Sequence, residues 1–173
     1  FDIEGIDAAH ELTILSAIAF GIPMQFDRAY TEGISQLTRE DVKYAEELGY
    51  RIKLLGIARR AENGIELRVH PTLIANVDGA MNAVLVKGDA VGPTLYYGAG
   101  AGAEPTASAV VADLVDVTRL HTADPHHRVP HLAFQPDQLA DTPILPMDEV
   151  RTAYYLRLRA FDRPGVLAEI TRI

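Results

Sequence analysis

The first ten residues after Phe1 read Asp2-Ile3-Glu4-Gly5-Ile6-Asp7-Ala8-Ala9-His10-Glu11. Two carboxylates fall on a glycine-containing turn, and Asp7 and Glu11 follow four positions apart, which on a helix puts them on one face. Paired carboxylates can hold a substrate amine or share a proton. The plainer alternative is that Asp7 caps a helix and Glu11 is a solvated surface residue. A second string, residues 98–104, alternates glycine and alanine up to Glu104. At a helix start its backbone N–H groups would suit an anion or an amide. Its glycines are not in Gly-X-Gly-X-X-Gly order, however, and no acidic residue follows another strand about twenty positions later. A tight strand-to-helix turn accounts for them as well. His121, His126, His127 and His131 cluster at metal-ligand-like spacing, but without cysteine or an ordered helix they read as solvated, so no metal site is assigned. His10 receives no role, His70 before Pro71 reads as a strand end, and no Ser-His-Asp arrangement can be argued.

These residues need elements to position them. Leu12, Leu15, Ile18 and Ala19 recur at helical spacing, which predicts a helix over 7–20, ended by Gly21 and Pro23. Thr38-Arg39-Glu40-Asp41 matches a capping box and opens a helix to about residue 48, closed by Gly49. Residues 50–60 and 65–74 read as strands joined by Ala61-Glu62-Asn63-Gly64, a hairpin signal. Residues 83–86 and 94–97 give two more strands, with the turn between them starting at Lys87-Gly88-Asp89. Pro105 begins a helix to about residue 121. Its apolar face of Val110, Leu114 and Val117, widened by Val111 and Val115, is expected to pack on a sheet. Residues 122–149, with Pro125, Pro130, Pro136, Pro143 and Pro146, read as a linker or loosely packed connector. Residues 153–161 alternate like a strand, Asp162-Arg163-Pro164-Gly165 turns, and a helix starts at Val166.

Composition narrows the classes. The chain has 173 residues, 48% of them apolar and 23% charged, enough for a buried core. A formal charge of −8 with basic residues scattered singly or in pairs such as Arg59-Arg60 argues against nucleic acid and anionic membranes. No window approaches the roughly eighteen apolar residues of a membrane span. With no cysteine, disulfides and thiolate chemistry are excluded, and a cytoplasmic location is the default. The chain opens on Phe1 without a leader pattern and stops inside a helical pattern, so a piece of a longer protein is expected.

The opening string resembles the signature of the homoserine dehydrogenase family, Asp-(Leu/Ile/Val/Met)-X-Gly-X-Asp followed after three residues by Lys. Asp2, Ile3, Gly5 and Asp7 match it, and 68–74 (Arg-Val-His-Pro-Thr-Leu-Ile) and 106–110 (Thr-Ala-Ser-Ala-Val) also resemble bacterial members. The resemblance spans 1–121. It implies an α+β fold, a mixed open β-sheet covered by helices, that binds substrate and builds a homodimer. It further implies a homoserine site containing Asp2 and Asp7, and a cofactor contact at Gly102. NADP or NAD would be bound mainly by an N-terminal nucleotide domain not contained in 1–173, so the chain alone is expected to be inactive. The implied reaction interconverts L-homoserine and L-aspartate 4-semialdehyde, in threonine, methionine and isoleucine biosynthesis. One position departs: Glu11 stands where the family has its proton-transfer Lys. A carboxylate repels developing alkoxide charge that a cation would stabilise, so turnover is expected to fall by about 10²–10⁴-fold.

The string 154–167 resembles the first strand, loop and helix of an ACT domain, a ferredoxin-like unit truncated here. That resemblance implies an amino-acid effector, threonine being usual, contacted at Asp162 and Gly165. The expected organisation is thus 1–121 catalytic and dimerising, 122–149 linker, and 150–173 an incomplete ACT domain. Two other readings stay open: a non-catalytic amino-acid-sensing or scaffolding homologue, suggested by Glu11, and a two-domain dehydrogenase with a different small substrate.

Overall fold

A computed structural model describes residues 1–75, 82–121, 128, 130 and 132–172. The elements are α1 (Ile6–Phe20), β1 (Tyr30–Thr31), α2 (Arg39–Glu47), β2 (Arg51–Arg60), β3 (Ile65–Ile74), β4 (Asn82–Gly88), β5 (Gly92–Gly98), α3 (Ala103–His121) and α4 (Val166–Ile170). They fall into two compact units. One takes the chain from its start through β3 and again from Ala140 onward; the other contains β4, β5 and α3.

In the first unit β2 and β3 form an antiparallel hairpin, registered from Arg60 opposite Ile65 to Arg51 opposite Ile74. The Asn-Gly turn closes as the hairpin signal predicts, with Ala61 N–H donating to Gly64 O at 2.8 Å. Tyr30–Thr31 adds in parallel on the other side of β3, giving the order β1-β3-β2. The central strand is buried on both faces at its start. Ile65, Leu67 and Val69 join Ala9, Leu12, Ile22 and Ile144 in one core cluster. On the opposite face Glu66 and Arg68 are also buried. Glu66 Oε1 accepts from Arg59 Nε at 3.1 Å, and its Oε2 lies 3.3 Å from Arg68 Nη2. Arg68 Nη1 lies 2.6 Å from His70 Nε2, while His70 Nδ1 lies 3.0 Å from Pro71 O. Since guanidinium can only donate, the imidazole proton belongs on Nδ1. His70 and Pro71 thus lie inside β3, not at its end. Proline is accommodated there because β1 pairs only as far as Val69 and leaves that edge of β3 open.

The first helix has its predicted extent but a different buried face. Ala9, Leu12, Thr13, Ser16 and Ala17 face inward, at spacings of three and four, while Leu15 and Ile18 point out at 46% and 41% exposure. Hydroxyls need not exclude Thr13 and Ser16 from a core: each donates to the carbonyl four residues back, at 2.7 Å. Small side chains let the helix approach closely. A Cβ on Gly56 of β2 would stand 3.3 Å from Leu12 Cδ1. The second helix opens on the expected capping box, Asp41 N–H to Thr38 Oγ1 at 3.3 Å and Thr38 N–H to Asp41 Oδ2 at 2.9 Å.

Several expectations are corrected. The end of the proline-rich stretch is packed, not loose. Ala140 N–H donates to Gly21 O at 2.7 Å, and Ile65 N–H donates to Pro143 O at 2.9 Å. Ile144 makes a parallel bridge to Ile65, and both Ile144 and Val150 are buried. The bridge uses the Pro143 carbonyl and the Leu145 N–H, so it needs no proline N–H. The expected single open sheet is instead a three-stranded mixed sheet and a separate β4-β5 ladder, with Leu85 opposite Leu95. α3 buries none of its residues, and Val110, Leu114 and Val117 are each more than half exposed, so among the described residues of its unit the expected packing of this face on a sheet is not seen. Residues 153–161 join no ladder among the described residues, because alternation creates a strand only where a neighbour supplies hydrogen bonds.

Two outcomes follow. Ile65→Ala, which empties a fully buried site shared by sheet and helix, costs about 2–5 kcal/mol in urea unfolding. Asp41 gives an acid limb to stability. Hydrogen bonds from the Thr38 hydroxyl and backbone, with help from the Arg157 charge, hold its carboxyl below the usual range. Its contribution is therefore full above the ordinary carboxylate value and lost as pH falls through the depressed folded value. Unfolding across pH should show this limb flattened in Asp41→Asn.

Candidate functional site

The opening string folds as a 3-10 turn, Asp2–Glu4, that swings into α1 through Gly5. Gly5 has φ +71°, and a Cβ there would stand 3.0 Å from Val69 Cγ1, so both conformation and closeness to β3 call for glycine. The turn is held from several directions. Gly5 N–H donates to Asp2 O at 3.0 Å, Ile6 N–H to Phe1 O at 3.2 Å, and Ile34 N–H to Ile3 O at 2.7 Å. Glu32 N–H in turn donates to Val69 O at 2.8 Å, so the strap after β1 joins the turn to β3. Gly33 lies against Ile3 O and Glu4 Cα with no room for a Cβ. Ser35 Oγ donates to Glu4 Oε2 at 3.3 Å.

This brings Asp2 and Asp7 to the same corner. Asp7 is half-buried at the second position of α1, where its charge suits the positive end of the helix dipole, and its Oδ1 accepts the Ala8 N–H at 2.9 Å. Glu11 lies one turn further along and is exposed. Among the described residues none of these three carboxylates forms an ion pair with a basic side chain. A rigid corner with unneutralised carboxylates can receive an ammonium group or accept a proton. His10 packs its ring against Phe26, centroids 4.0 Å apart, with Phe1 at 6.4 Å.

The remaining predicted positions lie elsewhere. Gly102, in the second unit, has φ +128° and accepts the Thr106 N–H at 3.1 Å, a strand-to-helix turn. Gly165 has φ +91° and accepts the Glu169 N–H at 2.9 Å, while Asp162 is exposed in the preceding turn. His121 ends α3 and is exposed; His126, His127 and His131 lie outside the described residues. Gly33, Ser35 and the contact Ser35 makes with Glu4 escaped sequence reasoning, because contacts made 31 residues apart leave no local spacing. No helix among the described residues is long and apolar enough to cross a membrane.

Comparison with known proteins adds to this geometry. The family described as homoserine dehydrogenase matches residues 1–115. A homoserine dehydrogenase of Pseudomonas aeruginosa is 70% identical over 179 residues, covering 100% of this chain and 41% of that protein. The chain is similar to a crystal structure of a homoserine dehydrogenase from Thiobacillus denitrificans, with 92% identity and a TM-score of 0.91, over 99% of this chain and 41% of that one. It is also similar, at 26% identity and a TM-score of 0.52, to a hyperthermophilic archaeal homoserine dehydrogenase mutant in complex with NADPH, over 73% of this chain and 36% of that one. The chain thus spans about two fifths of the length of the curated relative.

The tight approach at Gly33 sets an expectation. Gly33→Ala has to push the Asp2–Glu4 turn off the strap and should cost about 1–3 kcal/mol, as overpacking does. Chemical denaturation reads the cost, and loss of amide protection at Ile34 locates it.

Proposed function

The chain belongs to the homoserine dehydrogenase family, and from that membership we propose that the longer protein containing it interconverts L-homoserine and L-aspartate 4-semialdehyde. The observation that carries the reading is the corner at the start of α1. The residues shared with the family signature, Asp2, Ile3, Gly5 and Asp7, lie in one turn and the helix start that follows it, buttressed by β3 at Gly5. In this reading Asp7 and Asp2 hold the polar groups of homoserine, with Asp7 fixed by its place in the first helical turn. A bound nicotinamide, NADP or NAD, supplies the hydride acceptor or donor. The Gly102 loop fits an approach to that group, since its φ of +128° keeps a bare backbone at the start of α3.

As hydride leaves the alcohol carbon, the hydroxyl proton must also leave. Glu11 stands where the family's Lys handles that proton. Its carboxylate can accept a proton, but it repels the negative charge that builds on the oxygen, so Glu11 favours slow turnover. Asp2 and Asp7 still orient the substrate, which separates binding from rate.

The reading extends to a cytoplasmic enzyme of threonine, methionine and isoleucine biosynthesis acting as a homodimer. The exposed apolar surface of α3 and of the β4-β5 ladder supports such a partner. The substrate-binding domain then takes residues 1–121 together with the packed segment 140–150, the connector is limited to the residues before Ala140, and the residues after Val150 start an ACT domain. The turn at Asp162 and Gly165 would contact an amino-acid effector such as threonine.

Steady-state oxidation of homoserine by the full-length protein and its Glu11→Lys variant tests the role of position 11. The lysine form is expected to turn over about 10²-fold faster or more, with homoserine binding little changed. Equal rates would remove position 11 from proton transfer. Binding without turnover in both forms would favour the sensing or scaffolding alternative.

A further inference from the structure

Residues 151–163 belong to the first unit and join no sheet among the described residues, yet they are anchored. Arg157 Nη1 donates to Thr38 Oγ1 at 2.6 Å, and lies 3.2 Å from Asp41 Oδ1 and 3.3 Å from Glu40 Oε2. The Tyr155 hydroxyl reaches Asp41 Oδ1 at 3.5 Å. The alternate residues Tyr154, Leu156 and Leu158 are well over half exposed. The segment therefore lays one side, Tyr155 and Arg157, on the N-terminus of α2.

These contacts use the same atoms as the helix cap. A threonine hydroxyl offers one proton and two lone pairs. Thr38 gives its proton to Asp41 Oδ2 at 2.7 Å and accepts from the Asp41 N–H at 3.3 Å and from Arg157. Asp41, whose side chain is buried, takes the Thr38 N–H and hydroxyl on Oδ2, leaving Oδ1 to Tyr155 and Arg157. With Arg157 removed, the partner left on Oδ1 among the described residues is a neutral hydroxyl at the limit of hydrogen-bond distance. A buried carboxylate bears that poorly. Cap and segment therefore share one network.

We propose that residues 151–163 and the cap of α2 form a latch closed by Arg157, in which docking of the segment and tightness of the cap are one coupled equilibrium. Coupling of this kind is reciprocal. Loss of Arg157 loosens the first turn of α2, and loss of the Thr38 hydroxyl frees the segment more than a hundred residues away. A passive surface contact has no such second effect. Arg159 is the comparison: its side chain is 90% exposed and lies 3.9 Å from Glu40 Oε2, and among the described residues it contacts neither Thr38 nor Asp41.

Amide hydrogen exchange and chymotryptic cleavage of the full-length protein test this with Arg157→Gln, Thr38→Val and Arg159→Gln. The first two are each expected to speed exchange roughly tenfold at Thr38 and Asp41, the loss for a hydrogen bond to a charged group, and to speed chymotryptic cleavage within 151–163 by a similar factor. Amides of β3 should keep their protection, and Arg159→Gln should change neither region. The latch is overturned if either of the first two variants acts only on its own side or on neither. It also falls if β3 loosens in parallel, or if Arg159→Gln matches Arg157→Gln.

Discussion

The burial of β3 on both faces is the constraint the first unit depends on. One face meets the small, close-packed side of α1, where Ala9, Leu12 and Ala17 allow contact that larger residues would prevent. The same close approach requires Gly56 opposite Leu12 and Gly5 against Val69. The acidic corner is therefore built on the strand that carries the core. Its position is set by packing at Val69 and by the strap from Glu32 to Ile34, not by the carboxylates themselves. Preorganisation of this kind holds charges where they would otherwise repel one another.

The other face of β3 shows how the chain manages charge where it cannot use apolar residues. Glu66 is placed between Arg59 and Arg68, and Arg68 passes on to His70, whose remaining nitrogen finds the Pro71 carbonyl. Each buried polar group has a partner, and no buried side-chain atom among the described residues lacks one. The overall acidity of the chain is thus uneven. Glu66 on the sheet is neutralised, whereas among the described residues Asp2, Asp7 and Glu11 form no ion pair with a basic side chain.

Elements with local signals were legible in the sequence. The Thr38–Asp41 capping box, the Asn63-Gly64 hairpin and the glycine stops after α1 and α2 each rest on chemistry confined to a few adjacent residues, and the structure has them where they were expected. Faces and partners were less legible. α1 is apolar nearly all round, so periodicity could not choose between Leu15 and Ile18 and the true inward set with Thr13 and Ser16. The strand expected at 153–161 has the right alternation, but pairing is a property of two segments. The corner itself was half visible: Asp2, Gly5 and Asp7 sit in one short string, while Gly33 and Ser35 enter only through folding.

The bridge between Ile65 and Ile144 has a consequence in time. The whole second unit lies in sequence between the two segments that meet there, so roughly eighty residues separate partners in a single core. On a ribosome the hairpin of β2 and β3 is complete long before the segment from Ala140 to Val150 exists. Until that segment emerges, Ile65 and Gly64 present an unfilled edge. Such non-local closure slows folding and leaves an apolar strand open to wrong partners in the interval. The nascent chain is most exposed to misassembly after its central strand is made and before its last core residues arrive.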